Sequence, residues 1–220
     1  MVTYNALRED AEIRTYIEAA DAALAAQGYT EHSFAHTSRV AQDAGDLLLA
    51  LGRDARTVEL ARIAALLHDI GNTVNRVDHS QSGALIAFHL LEKRGMPPSE
   101  LTTVISAIGN HDEGTGVPVS DVAAALILAD KCDVRRSRVR APNRIEADDI
   151  HDRVNASVAS SSLTLDTAKK SLTLVLEIDT ARGSLMDFFE IFLERMLLCR
   201  RAAKHLGVAF GMRANGKTLL

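Results

Sequence analysis

Up to about residue 157 the apolar residues of this chain recur every three or four positions, and after Ser160 they recur every second one. The first period is satisfied by helices packed on one another and the second by strands. The chain therefore reads as mainly α: residues 1–157 form a helical body, and residues 158–220 form a small α+β annex packed on it. Helices are expected over 7–26, 33–51, 57–70, 80–94, 99–110, 120–139 and 146–157. Ser33 is an N-cap candidate, Gly28, Gly52 and Gly95 are stops, and Pro97-Pro98 and Pro142 break the pattern. The helix over 57–70 is apolar almost all round (ARIAALL), so it belongs at the centre. In the annex, strands are expected over 163–166 and 172–178, a long helix over 184–205, and a hairpin of 208–212 with 218–220 around Asn215-Gly216.

Composition removes several function classes. With 220 residues, 47% hydrophobic and 25% charged, the chain has the makings of one folded domain plus an annex. Six Phe, three Tyr and no Trp leave the core to aliphatic residues. A formal charge of -4 supplies no basic field for DNA. Cys132 and Cys199 stand far apart in sequence, so a disulfide framework or thiolate zinc site is a poor reading. No apolar stretch is long enough to span a bilayer, and the N-terminus MVTYNALREDAEIR lacks the pattern of a signal peptide. A soluble cytoplasmic protein is expected.

The chemistry concentrates where apolar stripes end. His36 continues Val40, Ala44 and Leu47; His79 continues Gly83, Ile86 and Leu90; His111 follows Leu101, Val104 and Ile108; His68 ends the run Ala64 to Leu67. Such side chains point inward, and converging inward histidines most often find a metal. Asp69 closes AALLHDIG and Asp130 closes VAAALILAD. Burying either carboxylate is costly, and Asp69 also faces the unfavourable end of a helix dipole. A cation relieves both penalties. The alternative for this set is a buried hydrogen-bonded polar cluster. His32, His89, His151 and His205 have mixed or polar helical neighbours and are set aside.

The order His36, His68-Asp69 within ALLHDIGN, then Asp130 within LILADKCD resembles the HD-domain superfamily of metal-dependent phosphohydrolases. The resemblance covers roughly residues 30–140 and implies a helical scaffold on which His36, His68, Asp69 and Asp130 bind one ion. His79 in HSQSGALIA and His111 in IGNHDEG are similar to the two further histidines that bind a second ion in binuclear branches. Many binuclear relatives have a longer insert between the positions of Asp69 and His79. The chain holds three His-Asp pairs, so the order and context carry the resemblance and the dipeptide alone does not.

The resemblance implies one or two divalent transition ions, Fe, Mn, Ni or Zn, with Fe placed first. Asp69 and Lys131 are the candidate catalytic residues, Asp69 as a ligand that also orients the attacking water. Lys131, Arg135 and Arg138 recur at helical spacing directly after Asp130. They read either as a solvated helix end or, with Arg39, as a clamp on a small phosphorylated, nucleotide-like substrate. The expected activity is phosphomonoester or phosphodiester hydrolysis. Two rivals are a di-iron oxygenase on the same six ligands and a non-catalytic metal-containing regulator whose helix over 185–198 forms a homodimer seam. Finally, Gly211 to Thr218 satisfies the GxxxxGK[ST] pattern of a phosphate-binding loop, but no helix follows it, and a terminal hairpin fits better.

Overall fold

The computed structural model describes residues 1–140 and 150–219, with side chains throughout except at 150–153. The helical body comprises α1 (Tyr4–Glu9), α2 (Ala11–Ala26), α3 (Phe34–Ala50), α4 (Ala55–Leu67), α5 (His79–Lys93), α6 (Pro98–Gly109), α7 (Asp121–Lys131) and α8 (Ile150–Ser157), with a 3₁₀ turn at Ile70–Thr73 and another at Arg136–Arg138. The annex adds β1 (Val158–Asp166), β2 (Ser171–Ile178), α9 (Leu185–His205), β3 (Ala209–Ala214) and β4 (Lys217–Thr218). The chain is thus mostly helical with a small C-terminal sheet. Among the described residues no helix is long and apolar enough to cross a membrane.

Two helices form the middle of the body. In α7 every residue from Val122 to Lys131 is buried, and in α4 Val58, Leu60, Ala61 and Ile63 to Leu67 are buried. They pack on each other, on α3 and on α6. The C-terminal ends of α4, α6 and α7 thereby meet the starts of α3 and α5. Gly71 permits part of this: a Cβ there would stand 1.9 Å from the His79 carbonyl oxygen and 2.4 Å from the Gly83 nitrogen. Only glycine lets the turn after α4 lie against the start of α5.

Three helix boundaries depart from expectation. The first helix is split at Asp10, whose extended backbone (φ -74°, ψ 123°) lets its carboxylate accept from the amides of Glu12 and Ile13 and so cap α2. The helix expected over 57–70 starts after Asp54, which caps it in the same way, and stops at Leu67. The helix expected over 120–139 ends at Lys131, so Lys131, Arg135 and Arg138 do not share a helical face. The expected start of the last body helix, near 146 after Pro142, lies outside the described residues.

The sheet order is β1-β2-β3-β4. β1 and β2 pair antiparallel, as do β3 and β4, whereas β2 and β3 pair parallel through α9. Alternation along β2 buries Leu172, Leu174, Leu176 and Ile178. Asn215 and Gly216 both take positive φ (49° and 77°), the type I′ turn expected of this dipeptide. The GxxxxGK[ST] segment is therefore hairpin. The apolar stripe Phe188, Phe192, Met196, Cys199 and Ala203 buries α9, which packs on α7, α8 and β3 and so joins annex to body. Met186, Leu193 and Leu197 stay exposed on it. Across the α7–α9 seam Cys132 and Cys199 are free, buried thiols with sulfurs 3.8 Å apart, a proximity that their sequence separation hides.

Candidate metal centre

The six inward residues converge. His36 sits in the first turn of α3, His68 and Asp69 directly after α4, His79 at the first residue of α5, His111 just beyond α6, and Asp130 in the last turn of α7. All are buried. His36 Nε2 lies 3.4 Å from Asp130 Oδ1 and 3.7 Å from Asp69 Oδ2; His68 Nε2 lies 2.9 Å from Asp69 Oδ2 and 3.6 Å from Asp130 Oδ1. On the other side of Asp69, its Oδ1 is 3.6 Å from His79 Nε2 and 4.0 Å from His111 Nε2. Asn72, one turn on, donates to Asp69 Oδ1 at 3.1 Å and so holds the carboxylate between the two histidine pairs.

Each imidazole has its other nitrogen engaged with an acceptor. Nδ1 of His68, His79 and His111 donates to the carbonyls of Ala65 (2.7 Å), Arg76 (3.0 Å) and Ile108 (2.6 Å). Nδ1 of His36 donates to Asp133 Oδ2 at 2.8 Å. A proton on Nδ1 leaves Nε2 of the neutral ring as a lone pair, and all four Nε2 atoms face the Asp69–Asp130 region. His79 Nε2 and His111 Nε2 stand 3.2 Å apart, two lone pairs opposed. His36 Nε2, His68 Nε2 and Asp69 Oδ2 are buried without a hydrogen-bond partner, the 2.9 Å approach of the last two being poorly aligned. Imidazole lone pairs and carboxylates so arranged fit transition-metal ions. His36, His68 and Asp130 offer one set of three ligand atoms within 4.8 Å of one another, and His68, Asp69 and His111 a second.

Electrostatics agrees. Burial favours neutral Asp69 and Asp130, yet His68 beside the first and Lys131 beside the second hold both carboxyls well below the usual range. Burial likewise opposes charge on His68, but Asp69 and Asp130 push it up to about 10, so its Nε2 is the atom at which a proton and a metal ion would compete. Burial drives His79 and His111 down instead, keeping their lone pairs available. The two buried carboxylates thus stay ionised and draw positive charge, from a proton on His68 and from Lys131, to the place where the ligand atoms meet.

Behind His36 lies a carboxylate that the sequence reading missed. Asp133 is fully buried and held well below its ordinary range: burial works against ionisation, but its bond to His36 and the neighbouring arginines prevail. Arg135 Nε donates to Asp133 Oδ1 at 2.7 Å, Arg39 Nε lies 3.3 Å from the same oxygen, and Arg39 Nη2 donates to the Ser161 carbonyl at 2.9 Å. Neither arginine lines the cavity; both ion-pair with Asp133 behind His36. The cause is the early end of α7, which turns Asp133 inward and takes both guanidiniums with it. Arg138, buried and bonded to the carbonyls of Glu31 and Asp133, does line the cavity.

The cavity over the cluster measures about 320 Å³. Asp69, His79 and Asp130 form its floor, and Lys131 stands beside them with Nζ 2.9 Å from Asp130 Oδ2 and 2.7 Å from Glu113 Oε2. His32, set aside in the sequence reading, also lines it, with its ring 5.5 Å from that of His36. Arg76 lines it too, Nη1 3.4 Å from His79 Nε2 and the guanidinium 5.6 Å from the Tyr29 ring centre. The opposite wall is annex: Phe192 and Arg195 of α9. Their sequence signal was an apolar helix with a charged neighbour, which says nothing about a site. Of the other histidines set aside, His89 is exposed and His205 pairs with Asp121, while the side chain of His151 lies outside the described residues.

Residues 33–135 match the family model of the HD domain. The chain is 25% identical over 211 residues to the uncharacterized protein MJ1020 of Methanocaldococcus jannaschii, covering 86% of this chain and 79% of that protein. It is 35% identical over 104 residues to ribonuclease Y of Oceanobacillus iheyensis, covering 46% of this chain and 18% of that protein. Among solved structures, a predicted HD superfamily hydrolase from an uncultured Thermotogales bacterium is 31% identical, with a TM-score of 0.45 over 56% of this chain and 67% of that one.

Proposed function

From the premise that this chain belongs to the HD-domain superfamily of metal-dependent phosphohydrolases, we propose that it hydrolyses a phosphate ester of a nucleotide-like metabolite. The carrying observation is the convergence of four histidine Nε2 atoms on two buried carboxylates beneath a cavity open to a small molecule. His36, His68, Asp69 and Asp130 would hold one divalent ion, and His79 and His111 a second, with Asp69 shared. Imidazole and carboxylate ligands suit Fe, Mn, Ni or Zn, and Fe is the first choice. When bound, such a metal supplies a water acidified toward neutrality and an electrophile for a phosphoryl oxygen.

The chain's own residues do the rest. Asp69, fixed by Asn72 between the two histidine pairs, orients the attacking water. Lys131, pinned by Asp130 and Glu113, and Arg138, pinned by two carbonyls, are cations already held in place where charge develops on the transferred group. Arg76, loosely held at His79, meets the phosphate as it enters.

The test is protein stripped of metal, reloaded singly with Fe, Mn, Ni or Zn, and offered mononucleotides, dinucleotides and aryl phosphates without oxygen. Release of phosphate or of a nucleoside is the expected result. Oxygen consumption with no anaerobic release would instead make this a di-iron oxygenase, and tight nucleotide binding with no turnover a regulator.

A further inference from the structure

We propose that Arg195 of the annex helix α9 binds a second anionic group of the substrate, so that the site selects phosphate compounds carrying two such groups. The inference rests on the phosphohydrolase reading of the floor and names a substrate class for it.

Arg195 enters the cavity from outside the HD-domain segment and is held there on two sides. Its Nε donates to Glu113 Oε1 at 2.8 Å, and its guanidinium lies 4.7 Å from the Phe192 ring centre. Phe192 is itself fully buried, so the ring is a fixed platform. One nitrogen of the fork is thus engaged, while the two terminal nitrogens have no partner among the described residues. The side chain is 24% exposed, enough to reach a ligand in the cavity that it lines. A guanidinium fixed by Nε with its terminal nitrogens open suits a phosphate or carboxylate.

Arg195 and Lys131 belong to a string of alternating charge. Asp130 pairs with Lys131, Lys131 with Glu113, and Glu113 with Arg195. The Glu113 carboxylate therefore stands between the two cations. An anion drawn to Lys131 beside the metal ligands and one drawn to Arg195 lie on opposite sides of that negative charge, which makes two subsites and not one. The shared carboxylate is divided between the two cations, one oxygen to Lys131 and the other to Nε of Arg195, so the terminal nitrogens of Arg195 are not spent on it. The outer subsite is where the open nitrogens of Arg195 are. A nucleoside diphosphate or a nucleoside bisphosphate has the second group that this subsite requires.

The experiment measures binding by calorimetry on metal-loaded protein at fixed free metal. The probes are adenosine 5′-monophosphate, adenosine 5′-diphosphate and adenosine 3′,5′-bisphosphate. Wild type should bind at least one two-anion probe tenfold or more tightly than the monophosphate, and Arg195→Gln should erase that preference while Arg195→Lys keeps part of it. Should Arg195→Gln melt early, Arg195→Lys is decisive, because a point charge in place of a fork lowers the preference below that of wild type. An unchanged preference in the folded variant, or no preference in wild type, overturns the inference. The two readings separate cleanly: protein that hydrolyses nothing yet loses the preference with Arg195 keeps this inference and discards the phosphohydrolase. Protein that hydrolyses phosphate esters with an Arg195-independent preference does the reverse.

Discussion

Beneath the cavity four imidazoles each have one nitrogen tied to an acceptor and the other aimed at two buried carboxylates, whereas on the annex wall Arg195 has one nitrogen tied to Glu113 and two ends open. The floor is made of helix termini whose positions follow from the packing of α4 and α7, and its polar atoms are removed from water. The wall is one face of α9, joined to the body by side chains. An arrangement with no rotamer freedom suits inorganic ligands, which demand fixed distances, while a half-restrained cation suits a ligand that arrives and leaves. Under the proposed function, and with Arg195 as inferred, chemistry thus belongs to the body and selection to the annex.

Four variants can break or sharpen that division. The largest effect belongs to Asp69→Ala, which removes the carboxylate shared by both histidine pairs: bound metal by elemental analysis should fall to near zero and phosphate release below detection. Retained metal would mean that the floor does not act as one unit. Next is Asp133→Asn, which keeps the shape but loses the negative acceptor on His36 Nδ1; metal affinity in a chelator competition should weaken about 10- to 100-fold. Third, Gly71→Ala forces a methyl against the His79 carbonyl and should cost about 1–3 kcal/mol in thermal melting, together with some metal occupancy. The smallest is Asn215→Ala in the annex hairpin. It loses a residue tolerant of positive φ together with side-chain bonds to the Ile178 amide and carbonyl, and should lower stability by about 1–2 kcal/mol with metal content unchanged. A loss of metal there would show floor and annex to be one cooperative structure.

The histidines and aspartates of the floor were legible because each sits on or ends an apolar stripe, and a stripe states which way a side chain points. Asp133 was not, since it lies past the end of a helix that the pattern carries on to 139. The same overextension put Arg135 on one helical face with Lys131, and its ion pair with Asp133, like that of Arg39, had no signal in the local pattern. Glu113, Arg76 and Arg195 carry no periodic signal, and a charged residue on a loop or helix surface looks alike whether it faces water or a cavity. In the annex both hairpins were readable from alternation and from Asn215-Gly216, but the parallel β2–β3 pairing was not, because it joins segments separated by all of α9.

By itself the sequence determined which side chains must be withdrawn from water, for burial follows from local period and the cost of hiding charge follows from residue type. Only the tertiary structure decided what those side chains meet. Distances such as the 3.2 Å between two histidine nitrogens 32 residues apart, or the 2.8 Å from Glu113 to Arg195, depend on how helices cross, and crossing is settled by the packing of whole surfaces and not by any short stretch of chain.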